Sequence, residues 1–62
     1  MDLKHQIRIA RKDKGYNQKE LAKVLKVTPV SVSNWERGYS HPPMETLKEI
    51  SKLLDYEFTI KN

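Results

Sequence analysis

Val30, Ser33, Asn34 and Arg37 stand close together in the chain, and their chemistry suits the edge of a DNA base pair. Asn can hold adenine through two hydrogen bonds, Ser can donate or accept one, and Val can pack on the thymine methyl. That chemistry needs the groups on one outward face. Placed on a helix at about 100° per residue, Val30, Asn34 and Arg37 share a face at i, i+4 and i+7. Ser33 and Ser31 flank it. Val32, Trp35 and Glu36 fall on the other side, and Val32 and Trp35 are bulky and apolar enough to be buried. A plainer reading uses the same residues. Val30 is then a single exposed apolar residue, which is common, and the serines and Asn34 are ordinary polar surface.

Other chemistries find little support. His5 and His41 are the only imidazoles and lie far apart in the chain. There is no Cys, so neither a disulfide nor a thiolate site is available. No H-x-x-x-H or paired-carboxylate spacing suggests a metal site. The serines have no evident base, and Gly15 and Gly38 do not form a phosphate-binding loop. The expectation is a non-enzyme without metal or cofactor.

Sixty-two residues make one small domain, 1–62, which buries only about 60% of its unfolded surface. The net charge is +4, unevenly spread. Residues 1–26 hold Lys4, Arg8, Arg11, Lys12, Lys14, Lys19, Lys23 and Lys26 against Asp2, Asp13 and Glu20. Residues 27–43 balance, and residues 44–62 are slightly acidic. A basic half suits an anionic partner, most often nucleic acid. Solubility alone also accounts for such a charge. The N-terminal MDLKHQIRIARK has no apolar run suited to a signal peptide, and no stretch approaches membrane-span length. A soluble cytoplasmic domain is expected.

The elements that would position the face follow from periodicity and capping. Leu3, Ile7 and Ala10 form the stripe of a helix over 3–14, with Ile9 off the stripe and Gly15 closing it. Asn17 caps a helix over 18–26. Glu20 completes a capping box, and Tyr16 and Leu21 occupy the positions of a hydrophobic staple. Leu21, Ala22 and Leu25 give its buried stripe. Thr28 and Pro29 open a helix over 29–37, which Gly38 ends. His41-Pro42-Pro43 is a turn. Met44, Leu47, Ile50, Leu53 and Leu54 then mark a helix over 44–54. In the tail, 55–62, Tyr56, Phe58 and Ile60 alternate with Glu57 and Thr59, which is a strand pattern. Helices 18–26 and 29–37, joined by a tight turn, have the arrangement of a helix-turn-helix. Ala22 is small where they approach, and Val24, Leu25, Val27, Val32 and Trp35 supply the packing.

The string NQKELAKVLKVTPVSVSNWERG, followed by Pro42 and Glu45-Thr46-Leu47, resembles the helix-turn-helix of the phage-repressor family, Cro-like or Xre-like. The similarity covers roughly residues 3–54. It implies an all-α, compact bundle of four or five elements that binds operator DNA, usually as a dimer, in a bacterial or phage-encoded regulator. The recognition helix would be 29–37. Pro29, Val30, Ser33 and Asn34 would read bases. Gln18, Thr28, Ser31, Arg37, Tyr39 and Ser40 would contact phosphates. Arg11 and Glu36 would form a partly buried salt bridge between the first and third helices. Three features depart from the pattern. Lys26 stands where the tight turn usually has Gly, Pro43 where the fourth helix usually has a Ser-like cap, and YEFTI where many relatives have a fifth helix.

Two readings of the tail follow. Two copies could pair antiparallel near Phe58, burying Tyr56, Phe58 and Ile60 as a dimer interface. Alternatively the tail folds back on its own domain. The leading expectation is a repressor that occupies an operator as a homodimer, with no membrane partner. The rival is a protein-interaction module, antitoxin-like, whose apolar tail is the partner site.

Overall fold

The computed structural model describes residues 2–59. Four helices follow in order: α1 over Leu3–Asp13, α2 over Gln18–Leu25, α3 over Pro29–Arg37 and α4 over Met44–Leu54. Each boundary has a local cause. At the start of α2 the Asn17 side chain accepts from the Glu20 N–H at 2.7 Å, and the Asn17 N–H donates to the Glu20 carboxylate at 2.9 Å. At the start of α3 Thr28 Oγ1 accepts from the Ser31 N–H at 3.1 Å, and Pro29 places its fixed φ in the first turn. The proline before α4 supplies no side-chain cap.

The first two helices each stop one residue before the expected end. Lys14 ends α1 with φ −91°, and Gly15 takes the left-handed φ of +80° that follows. Lys26 ends α2 at φ 60° and ψ 39°. Here a lysine occupies the left-handed region that suits glycine, at a cost on the order of 1 kcal/mol. It is held there because the turn closes with Val27 N–H donating to the Ala22 carbonyl at 2.9 Å. Asp55 does the same after α4, at φ 49°, which its sequence context did not suggest.

α3 packs against both α1 and α2. The core joins Ile7 and Ala10 of α1, Leu21, Ala22 and Leu25 of α2, Val32 and Trp35 of α3, and Ile50 and Leu54 of α4. Ile7, Leu21, Val32 and Ile50 have no exposed surface. Burying each stabilises the fold by roughly 1.5–3 kcal/mol. Tyr16 packs against the same cluster, as a staple residue should. Two expected core residues are not in it. Val24 is 50% exposed and Met44 59% exposed. Val24 lies on the far side of α2 from Leu21 and Leu25, and Met44 is the first residue of α4, ahead of the stripe that starts at Leu47.

The tail corrects the strand expectation. Among the described residues there is no strand, and Tyr56–Thr59 runs back over its own domain. Tyr56 and Phe58 are half-buried against the core, with ring centroids 4.9 Å apart. The alternation thus reflects one apolar side, as read, but no neighbouring strand supplies a ladder. A side chain supplies one rung instead. The Gln6 amide donates to the Thr59 carbonyl at 2.8 Å, and the Thr59 N–H donates to Gln6 Oε1 at 2.8 Å. Ile60 lies outside the described residues.

Candidate nucleic-acid interface

α3 divides as its spacing requires. Val32, Trp35 and Glu36 are buried. Val30 is 66% exposed, Arg37 is exposed, and Ser33 and Asn34 are half-buried. The Asn34 carboxamide makes no hydrogen bond among the described residues, so both its donor and its acceptor are available to a base edge. Pro29 is exposed at the leading end of the same helix.

The residues expected at phosphates are more varied. Thr28 and Ser31 pair with each other, hydroxyl to hydroxyl, at 3.1 Å. Only one hydroxyl proton is engaged in that pair, so the other can still be donated. Tyr39 and Ser40 are exposed beyond the end of α3. The Arg37 guanidinium lies 5.9 Å from the Tyr39 ring centroid, within range of a cation–π contact. Gln18 points inward as well as out, because its Nε2 donates to Glu36 Oε1 at 3.2 Å.

That carboxylate fixes the geometry of the site. Arg11 Nε meets Glu36 Oε2 at 2.6 Å, and Arg11 Nη2 meets Glu36 Oε1 at 3.0 Å. The guanidinium therefore grips the carboxylate by two parallel bonds, the strong arrangement for this pair. Arg11 Nη1 donates to the Tyr16 carbonyl at 2.8 Å. Arg8 Nε approaches Glu36 Oε1 at 3.4 Å. The Glu36 side chain is wholly buried, Arg11 is 8% exposed and Arg8 46% exposed. Burial pushes the Glu36 carboxyl up. Hydrogen bonds from Arg11 and Gln18, the charge of Arg11, and the Arg8 bond together outweigh it, and the carboxyl is held below its ordinary value. The participation of Arg8 and Gln18 was not anticipated. The signal was present, since Arg8 and Arg11 stand three apart on α1 and must share a face.

Two short helices joined by a three-residue turn, the second offering an uncharged polar face to solvent, define a helix-turn-helix domain. A helix-turn-helix family model matches residues 7–60, and the chain belongs to that family, in its Cro-like or Xre-like form. The HTH-type transcriptional regulator DicA of Escherichia coli (strain K12) is 50% identical over 48 residues, 77% of this chain and 36% of that protein. The HTH-type transcriptional regulator ImmR of Bacillus subtilis (strain 168) is 40% identical over 53 residues, 86% of this chain and 42% of that protein. The HTH-type transcriptional activator BcrR of Enterococcus faecalis is 38% identical over 52 residues, 84% of this chain and 26% of that protein. The chain thus spans less than half the length of each. Among solved structures, the P22 c2 repressor protein in complex with a synthetic operator matches with a TM-score of 0.84 and 33% identity, over 92% of this chain and 86% of that one. A chain of the HipA-HipB-O2-O3 complex matches with a TM-score of 0.69 and 25% identity, over 97% of this chain and 84% of that one. No helix among the described residues is long and apolar enough to cross a membrane.

Proposed function

We propose that this chain is the DNA-binding part of a transcriptional regulator, a repressor that occupies its operator as a homodimer with α3 in the major groove. The observation that carries the reading is the outward face of α3. Val30 and Asn34 are presented there without charge, while Val32, Trp35 and Glu36 lock the helix to the bundle. Phosphate attraction then comes from the basic first half of the chain, and choice of sequence from this face. The similarity to a repressor bound to an operator supports the same placement.

Pro29, Val30, Ser33 and Asn34 read bases, and Gln18, Thr28, Ser31, Arg37, Tyr39 and Ser40 contact phosphates. The domain is at most 29 Å across, less than the roughly 34 Å between successive major grooves on one side of the duplex. One copy therefore covers one half-site, and a pair is needed for two. The second copy pairs through the tail side, where Tyr56 and Phe58 keep part of their surface open. Such a domain works in the cytoplasm, where operator DNA is reached. The test is selection of bound duplexes from a random pool. A recurring two-half-site sequence supports the reading, and no enrichment overturns it.

A second reading has one observation behind it. Met44 is 59% exposed and lines an open groove with Leu47, Lys48, Ser51, Glu57 and Phe58. A protein-interaction module would use that groove. Sedimentation of Phe58→Asp separates the two: a dimer that persists removes the tail from the dimer interface.

A further inference from the structure

Glu36 sits among more positive charge than it can neutralise. One carboxylate faces two guanidiniums, and the two differ sharply in what they have left to give. Each nitrogen of Arg11 is engaged inside the protein, Nε and Nη2 on Glu36 and Nη1 on the Tyr16 carbonyl. Arg8 commits only Nε, at 3.4 Å from Glu36 Oε1. Its two terminal nitrogens make no hydrogen bond among the described residues, and its side chain is 46% exposed. Gln18 resembles it. Nε2 lends one bond to the same oxygen, which leaves a second N–H on that nitrogen.

We infer that Arg8 and Gln18 form one seat for a DNA backbone phosphate, with both side chains oriented by Glu36 Oε1. This rests on the DNA-binding reading above. Arg8 Nε and Gln18 Nε2 lie 3.4 and 3.2 Å from a single oxygen. They are therefore no more than about 7 Å apart, a gap that a phosphate can bridge when its oxygens accept at about 2.9 Å. Arg8 supplies the unneutralised charge and a planar fork suited to phosphate. Gln18 supplies a neutral donor that fixes the register. Glu36 is a positioning residue: it does not touch the phosphate but holds both donors on one side of the α1–α2–α3 junction.

The test is the salt dependence of binding to a short random-sequence duplex, where only backbone contacts count. Arg8→Gln should make the slope of log K against log salt shallower by about 0.9. Equivalently, its loss of affinity between about 50 and 200 mM salt should be about 3.5-fold smaller than for the parent chain. Arg8→Lys should restore the slope, because the charge returns. Gln18→Ala should lower affinity at every salt without changing the slope, and should lower it less in the Arg8→Gln background than alone, because the two donors share a phosphate. Thermal melts must show each variant folded, as the exposure of Arg8 leads one to expect. A folded Arg8→Gln variant with an unchanged slope overturns the inference, and so does full additivity of the two substitutions. If the parent chain shows no salt-sensitive duplex binding at all, both this inference and the DNA-binding reading fall.

Discussion

Replacing Glu36 by alanine should nearly unfold this domain. The change deletes a carboxylate that is completely buried and leaves Arg11, 8% exposed, with its charge uncompensated. Removing one partner of such a pair costs about 3–5 kcal/mol. Arg8 adds little to that figure, because its half-exposed guanidinium can turn to water. A chain this short is expected to have a total stability of roughly 3–9 kcal/mol, so the loss removes most of it. For so small a domain each kcal/mol moves the melting temperature by up to about 8 °C, and the drop should be roughly 25 °C. Thermal melting followed by circular dichroism measures it. The double variant Arg11→Met with Glu36→Leu provides the discriminating control. It leaves no orphaned charge and fills similar volume, so it should regain most of the lost stability. A drop under about 1 kcal/mol for Glu36→Ala, or a double variant no better than the single one, would refute the argument that a buried, mutually dependent pair joins α1 to α3.

Four further outcomes are expected. Because the Glu36 carboxyl is held below its ordinary value, its contribution is complete above about pH 4.3 and fades as the pH falls through the folded value. The melting temperatures of the parent chain and Glu36→Gln should therefore converge on acidification, and a constant gap would contradict the assignment. Lys26→Gly relieves a left-handed lysine and should stabilise the fold by roughly 1 kcal/mol, raising the melting temperature by about 4–8 °C; a decrease would show that the turn is shaped for lysine. Asn34→Ala and Val30→Ala should each weaken binding to a selected operator by about 1–3 kcal/mol while leaving random-sequence binding nearly unchanged; gel-shift titration against both duplexes decides. Gln6→Ala removes the side chain that holds the Thr59 N–H, and amide exchange at Thr59 should accelerate; unchanged protection would mean that Tyr56 and Phe58 alone dock the tail.

The helices were legible because their signals are local. The Asn17–Glu20 box, the Thr28-Pro29 entry and the glycines at 15 and 38 each act within a turn of the residues they govern. The split of α3 into buried and outward faces followed from spacing alone. What sequence could not give was long-range geometry. Gln6 looks like a polar residue on a helix of alternating polarity, yet it is buried and bonds to a residue 53 positions away. The tail shows the same limit. Its alternation reveals an apolar side but not what lies beside it, so a strand and a docked extended segment read alike. At Arg8 the periodicity did place it with Arg11, but the half-exposed, partly engaged state that distinguishes the two depends on the shape of the whole junction.

The absence of charge on the outward side of α3 has its counterpart on the buried side. A recognition helix must be held rigidly, since displacement of even a fraction of a hydrogen-bond length spoils base contacts. Apolar packing by Val32 and Trp35 fixes how deep α3 sits, but such contacts are non-directional and resist sliding weakly. Glu36 supplies direction: its carboxylate is gripped by Arg11 from α1 and touched by Gln18 from α2, so rotation or translation of α3 breaks bonds to both neighbours. The same carboxylate orients the groups proposed to meet the phosphate. Register on the backbone and aim at the bases are then set by one residue. Loosening Glu36 without unfolding the chain, as Glu36→Gln should, would weaken discrimination between operator and random duplex even though no base-reading side chain has changed. Unaltered discrimination in a folded Glu36→Gln variant would show that packing alone aims the helix.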